Sequence, residues 1–244
     1  MTWDQMQELL WPATWETLQM VGVSSVATVL LGLPLGVLLV LTDKGGLLQH
    51  QGFNRVLGAI VNIGRSLPFI ILMVALQGVT KAIAGTTIGW QAATVPLTIG
   101  AVPFFARLVE TAVREVDGGL VEAVQSMGGS TATIVRKTLL PESLPALVAS
   151  ATTTVIALIG YSAMAGVVGG GGLGDLAVRY GYLRFETGFM WVIIAELVVI
   201  VTALQLIGDL LVRRLSHRGA TPGRFRPEAV DLPGEAEAEP ASAR

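Results

Sequence analysis

The residue types that most often do chemistry are scarce in this sequence. It has no Cys and only two His, so a thiol nucleophile, a disulfide and a Cys/His metal site are excluded. No Gly-x-x-x-x-Gly-Lys-Ser/Thr occurs, so the loop that cradles nucleotide phosphates is missing. Gly169, Gly171 and Gly174 satisfy Gly-x-Gly-x-x-Gly, but no strand precedes them and no βαβ unit surrounds them. A turn or a close helix contact is the better reading of that run. Two charges, Arg65 and Glu196, interrupt otherwise apolar stretches. Ionisable groups in such places are costly and usually face a bundle interior or water.

The elements that position these residues follow from where charge is missing. The chain has 244 residues, 52% hydrophobic and 14% charged, where a soluble domain carries about 25% charge. The net charge of −2 gives no nucleic-acid-binding surface. A membrane-crossing helix needs about 20 mostly apolar residues. Such runs predict five spans, near 17–41, 57–79, 86–106, 145–168 and 188–211. No Lys or Arg precedes the first, so it reads as a retained helix rather than a signal peptide. Residues 1–14 read as an external interfacial segment, with a short helix broken at Pro12. Residues 216–244, rich in Pro, Gly, Ala and Glu, read as a disordered cytoplasmic tail.

Lys and Arg placement sets direction. With the N-terminus outside, the inner segments hold 13 of these residues, including Lys44, Arg107, Arg114, Arg136 and Lys137, and the outer ones hold Lys81, Arg179 and Arg184. Trp3, Trp11, Trp15, Trp90 and Trp191 then all fall at outer ends, as an aromatic belt requires. In this frame Arg65 lies about 21 Å below the outer end of the second span, near the cytoplasmic entrance. Glu196 lies about 12 Å down the fifth, too far in depth for a direct ion pair with Arg65. Gly32 and Gly36 flank Pro34, predicting a close helix contact and a kink.

One long cytoplasmic loop, 107–142, remains. Leu120, Val121, Val124 and Met127 form an apolar helical stripe. Gly128 and Gly129 stop that helix. Ser130 or Thr131 caps a second, which Pro141 ends. The expectation is a helix–turn–helix whose first helix docks in a partner's groove.

Here the sequence resembles a known family. Glu122-Ala123-Val124, then Gly128, then Leu140-Pro141 match the "EAA" loop of ABC-importer permeases, with Val124 for the second Ala and Thr138 for the usual Ile. Val61-Asn62-Ile63-Gly64-Arg65-Ser66-Leu67-Pro68-Phe69-Ile70, Ala93-Thr94-Val95-Pro96-Leu97-Thr98 and Gly160-Tyr161-Ser162-Ala163-Met164 look like the methionine-importer permeases of that superfamily. The resemblance implies a homodimer in the cell membrane, two cytoplasmic ATPase subunits and an extracytoplasmic substrate-binding protein. ATP and Mg would be bound by the ATPase partner, and no cofactor by this chain. Leu120, Glu122, Ala123, Val124, Met127, Gly128, Leu140 and Pro141 would couple to the ATPase. Asn62, Arg65, Ser66, Tyr161 and Ser162 would line the pathway, with Met164 at a gate on the dimer axis. The fold expected is an all-α membrane protein with five spans. Another small solute as cargo, or a self-contained secondary transporter, stays open as the alternative.

Overall fold

The computed structural model describes residues 3–216, and all of its regular elements are helical. The predicted tail lies outside the described residues, apart from Ser216. In chain order the helices are α1 (Trp3–Thr42), α2 (Gln51–Ser66), α3 (Phe69–Ala75), α4 (Gln77–Ala84), α5 (Trp90–Arg114), α6 (Gly118–Ser126), α7 (Thr131–Ile134), α8 (Leu140–Val167), α9 (Gly172–Leu176) and α10 (Thr187–Ser216). One π-helical stretch, Val135–Leu139, joins α7 to α8, and another, Ala177–Tyr182, follows α9.

Four of the described helical segments are long and apolar enough to cross a membrane. A bent pair, counted as one span, makes a fifth: α2 and α3 pass the same test together and meet at 104°. A straight second span over 57–79 is therefore corrected. The cause is local. Pro68 disfavours helix at the residue before it, and Leu67 is extended (φ −79, ψ 128).

Two further prolines act less decisively than the sequence suggests. Pro12 does not break α1, which runs unbroken for 40 residues, about 60 Å. Met6, Leu9 and Leu10 pack against a cluster containing Phe189 and Ile193 of α10, and this packing holds the segment helical. Thr14 Oγ1 also binds the Leu10 carbonyl at 2.8 Å. Pro141 does not end a helix either. It sits in the first turn of α8, and the π-helical stretch before it absorbs the mismatch.

Helix α1 packs most extensively on α5, side by side and parallel. Ser24 lies beside Thr94, Gly36 beside Val109 and Asp43 beside Arg114. Glycine makes this approach possible. A Cβ on Gly32 would lie 2.8 Å from Phe105 Cδ1, and one on Gly36 2.5 Å from the Ala106 carbonyl oxygen. In lipid, close packing of this kind substitutes for the hydrophobic drive between helices. Helix α8 runs back against α5 and α10, with Gly208 of α10 pressed on Thr152.

The 169–174 run is a turn with close approaches. Gly169, Gly171 and Gly172 have positive φ. Glu16 accepts from the Gly172 amide at 2.8 Å, and Thr17 Oγ1 from the Leu173 amide at 2.9 Å. The start of α9 is thus capped by α1.

The α1–α5 contact yields a prediction. Gly36→Ala should lower stability by about 1–3 kcal/mol, the usual cost of overpacking. Gly22→Ala, with nothing near its Cβ, should be neutral or slightly stabilising. Thermal unfolding of the purified protein in detergent checks both, and equal melting temperatures would contradict the contact.

Candidate functional site

Helix α6 is set by its two ends. Asp117 caps the N-terminus, accepting from the Gly119 amide at 2.8 Å. At the other end the Gly129 amide reaches the Val124 carbonyl and the Gly128 amide the Gln125 carbonyl, both at 2.9 Å. This is a Schellman motif, and it needs the left-handed Gly128 (φ 78). A side chain at Gly129 would strike Val124 Cγ1 at 2.6 Å. Ser130, rather than Thr131, caps the next helix, accepting from the Thr133 amide at 3.3 Å.

The apolar stripe of α6 is divided between two faces. Val121 and Val124 pack inward on a cluster with Val113, Ile134 and Leu139, which Leu140 also joins. Leu120, Ala123 and Met127 point away, and Met127 is 78% exposed. Their i, i+3, i+7 spacing makes a separate outward face. Glu122 is exposed at the rim of a cleft of about 570 Å³ between α6 and the 43–47 turn. Pro141 is exposed beyond the π-helical stretch.

Below α6, a chain of charges ties the helix ends together. Glu110 is 6% exposed and sits between two arginines on its own helix, pairing with Arg107 and, at 2.8 Å, with Arg114 Nη2. Arg114 continues to Asp43 Oδ2 at 2.5 Å, past the end of α1. Arg107 continues to Asn62 Oδ1 of α2 at 2.8 Å. The Arg114 hydrogen bond holds the Asp43 carboxyl below its ordinary value of 3.8. Sequence reasoning missed Glu110, although the Arg-x-x-Glu-x-x-x-Arg spacing was visible in 107–114.

A second site lies where α2 breaks. Arg65, Phe69, Leu72, Phe104 and Tyr161 line a cavity of about 260 Å³. Phe69 stacks on Tyr161, with centroids 4.8 Å apart and planes 12° from parallel. Gly64 packs on Pro103, 13 residues into the 25-residue α5, so Arg65 sits about halfway down that helix. Asn62, three residues earlier on α2, meets Arg107, so Arg65 lies about one turn from the charged end of α5.

The structure thus brings Arg65 and Tyr161 to one cavity. Asn62 and Ser66 are exposed beside it, with Ser66 Oγ donating to the Asn62 carbonyl at 2.8 Å. Ser162 is not brought to it: it is buried and donates to the Ile159 carbonyl at 2.7 Å. Met164 is exposed on a different face of α8, which also carries Thr153, Gly160 and Val167. Glu196 accepts a hydrogen bond from Thr14 of α1 across the bundle. That partner and the Glu16 cap span more than 150 residues, and no local sequence signal could have found them.

Residues 32–218 match the family model of the binding-protein-dependent transport system inner membrane component. The chain belongs to this family. As an inner-membrane transport component it is a multi-pass membrane protein and a non-catalytic permease part of an ABC transporter. It is 57% identical over 211 residues to the "Probable D-methionine transport system permease protein MetI" of Vibrio cholerae, covering 86% of this chain and 94% of that one. It is 48% identical over 209 residues to the methionine import system permease protein MetP of Bacillus subtilis, covering 86% and 94%. A solved inward-facing structure of the MetNI methionine ABC transporter is similar at a TM-score of 0.86 and 48% identity, over 88% of this chain and 99% of that one.

The charge network predicts a pH-dependent stability. A lowered folded pKa means that the Asp43 contact contributes fully above the ordinary aspartate value and is lost as pH falls through the lowered one. Wild type should therefore exceed Asp43→Asn in melting temperature at pH 7, and the gap should close in acid. A gap independent of pH would contradict the pairing. Glu110→Ala, which strands two arginines, should cost about 1–3 kcal/mol in the same assay.

Proposed function

We propose that this chain is the permease subunit of an ATP-driven methionine importer. It works as a homodimer with two ATPase subunits and receives methionine from an extracytoplasmic binding protein. The N-terminus is outside and the C-terminus inside. Helix α6 is the first helix of a cytoplasmic helix–turn–helix coupling loop. ATP and Mg belong to the ATPase partner.

The observation that carries this reading is the outward face of α6. Leu120, Ala123 and Met127 stand free on a helix whose other face is locked into the bundle. Such a helix can seat in a partner's groove. Because Val121 and Val124 pack with Val113 of α5 and Leu139 before α8, a push on α6 moves both helices as a body. ATP binding draws the two coupling helices together and opens the pathway outward, and hydrolysis resets it. Glu122 and Gly128 act in this loop, the first at its contact rim and the second by holding the turn. Leu140 and Pro141 connect it to α8.

The direction is supported by the parallel course of α1, α5 and α10. Trp11, Trp15, Trp90 and Trp191 lie towards their starts, while Arg107, Arg114, Arg213 and Arg214 lie towards their ends. The uncovered α8 face at Gly160, Met164 and Val167 supports a dimer axis with Met164 at the gate. Asn62, Arg65, Ser66 and Tyr161 line the pathway, and Ser162 supports its wall. Methionine as cargo rests on the names of the relatives at 48–57% identity.

Met127→Ala and Leu120→Ala alter exposed side chains, so folding should be unaffected. Each should reduce co-purifying ATPase about fivefold or more, as loss of an interface anchor does. Uptake of labelled methionine into vesicles holding the permease, ATPase and binding protein should fall in parallel. Unchanged complex yield and uptake in both variants would overturn the coupling assignment. Full competition of uptake by unrelated amino acids would overturn the substrate.

A further inference from the structure

The cavity at the α2–α3 break holds a feature that a passive conduit does not require. Arg65 is exposed on α2 and makes no hydrogen bond or ion pair among the described residues, yet it lines this otherwise largely apolar cavity. A cation among apolar walls is costly unless it meets water or a counter-charge. The stacked Phe69 and Tyr161 rings, with Leu72 and Phe104, form the apolar part of the same lining. The volume of about 260 Å³ is far more than a single water needs. That suits a small solute carrying one anionic end and one apolar end.

We infer that this cavity is a holding site for the transported amino acid within the membrane domain. Arg65 takes the α-carboxylate, and the Phe69–Tyr161 wall takes an unbranched thioether side chain. The guanidinium fork matches a carboxylate in two parallel hydrogen bonds. Sulfur against aromatic rings is a favourable contact. Gly100 is part of the design, since its Cβ would crowd Leu72 at 3.3 Å and Phe69 at 3.4 Å. The inference rests on the methionine-importer reading above and adds a substrate site to it.

The test is equilibrium binding of labelled L-methionine to the full chain with its ATPase, in nanodiscs of uncharged lipid without binding protein. Saturable binding is expected. Methioninol, which lacks the carboxylate, should fail to compete. Arg65→Ala should weaken binding about tenfold or more, and Arg65→Lys should retain part of it. Phe69→Leu should weaken methionine more than alanine. The inference is overturned if wild type supports methionine uptake yet shows no saturable binding, if methioninol competes as well as methionine, or if Arg65→Ala binds as wild type does. The methioninol arm uses wild type alone, so it decides even where a variant fails to fold. Wild type that takes up no methionine overturns the importer reading itself, and this inference with it.

Discussion

Hydrocarbon offers no hydrogen bonds, so a backbone amide left unpaired there costs several kcal/mol. That constraint governs this chain. It forces nearly all of the described residues into helices, and it makes the interruption at Leu67 and Pro68 meaningful. A helix can break at membrane depth only where the freed groups are buried in protein or face water. The 104° bend carries α3 across α5, leaves a cavity behind it and places Arg65 at that cavity. The cavity, the cation and the aromatic wall thus share one origin, the break at Pro68.

The remaining helices form the frame that tolerates this break. In lipid, helices gain little from apolar burial against each other, so contact distance matters. Gly32 and Gly36 let α1 lie directly on α5, and the Asp43–Arg114–Glu110–Arg107–Asn62 chain ties the end of α1, the last turns of α5 and α2 together. At the other end, Glu16 and Thr17 clasp the glycine turn before α9. A frame held at both ends gives α6 a stiff support. The inward pair Val121 and Val124 packs α6 onto that frame.

Much of this was legible in the residues. Apolar run lengths pointed to membrane helices, and the Gly32/Gly36 spacing pointed to a close contact. The Gly128-Gly129-Ser130 sequence states its own turn, because a left-handed residue followed by a cap has few other uses. What misled was proline, whose local rule is real but yields to context. Pro68 broke its helix, whereas Pro12 was held by packing on α10 and Pro141 by a π-helical adjustment. The single apolar stripe of α6 was also two faces, since periodicity reports burial and not which surface does the burying. Contacts such as Thr14–Glu196 arise only once the bundle is assembled.

The absence of native cysteine offers a direct test of a water-lined break. Single cysteines at Ser66, Met164 and the exposed α10 position Val198 can be probed with a charged, membrane-impermeant thiol reagent on the assembled transporter, with and without nucleotide. Modification of Ser66→Cys and Met164→Cys that changes with nucleotide, alongside an unreactive Val198→Cys, is the result expected of a gated aqueous path. Equal silence at all three positions, or labelling indifferent to nucleotide, would contradict it.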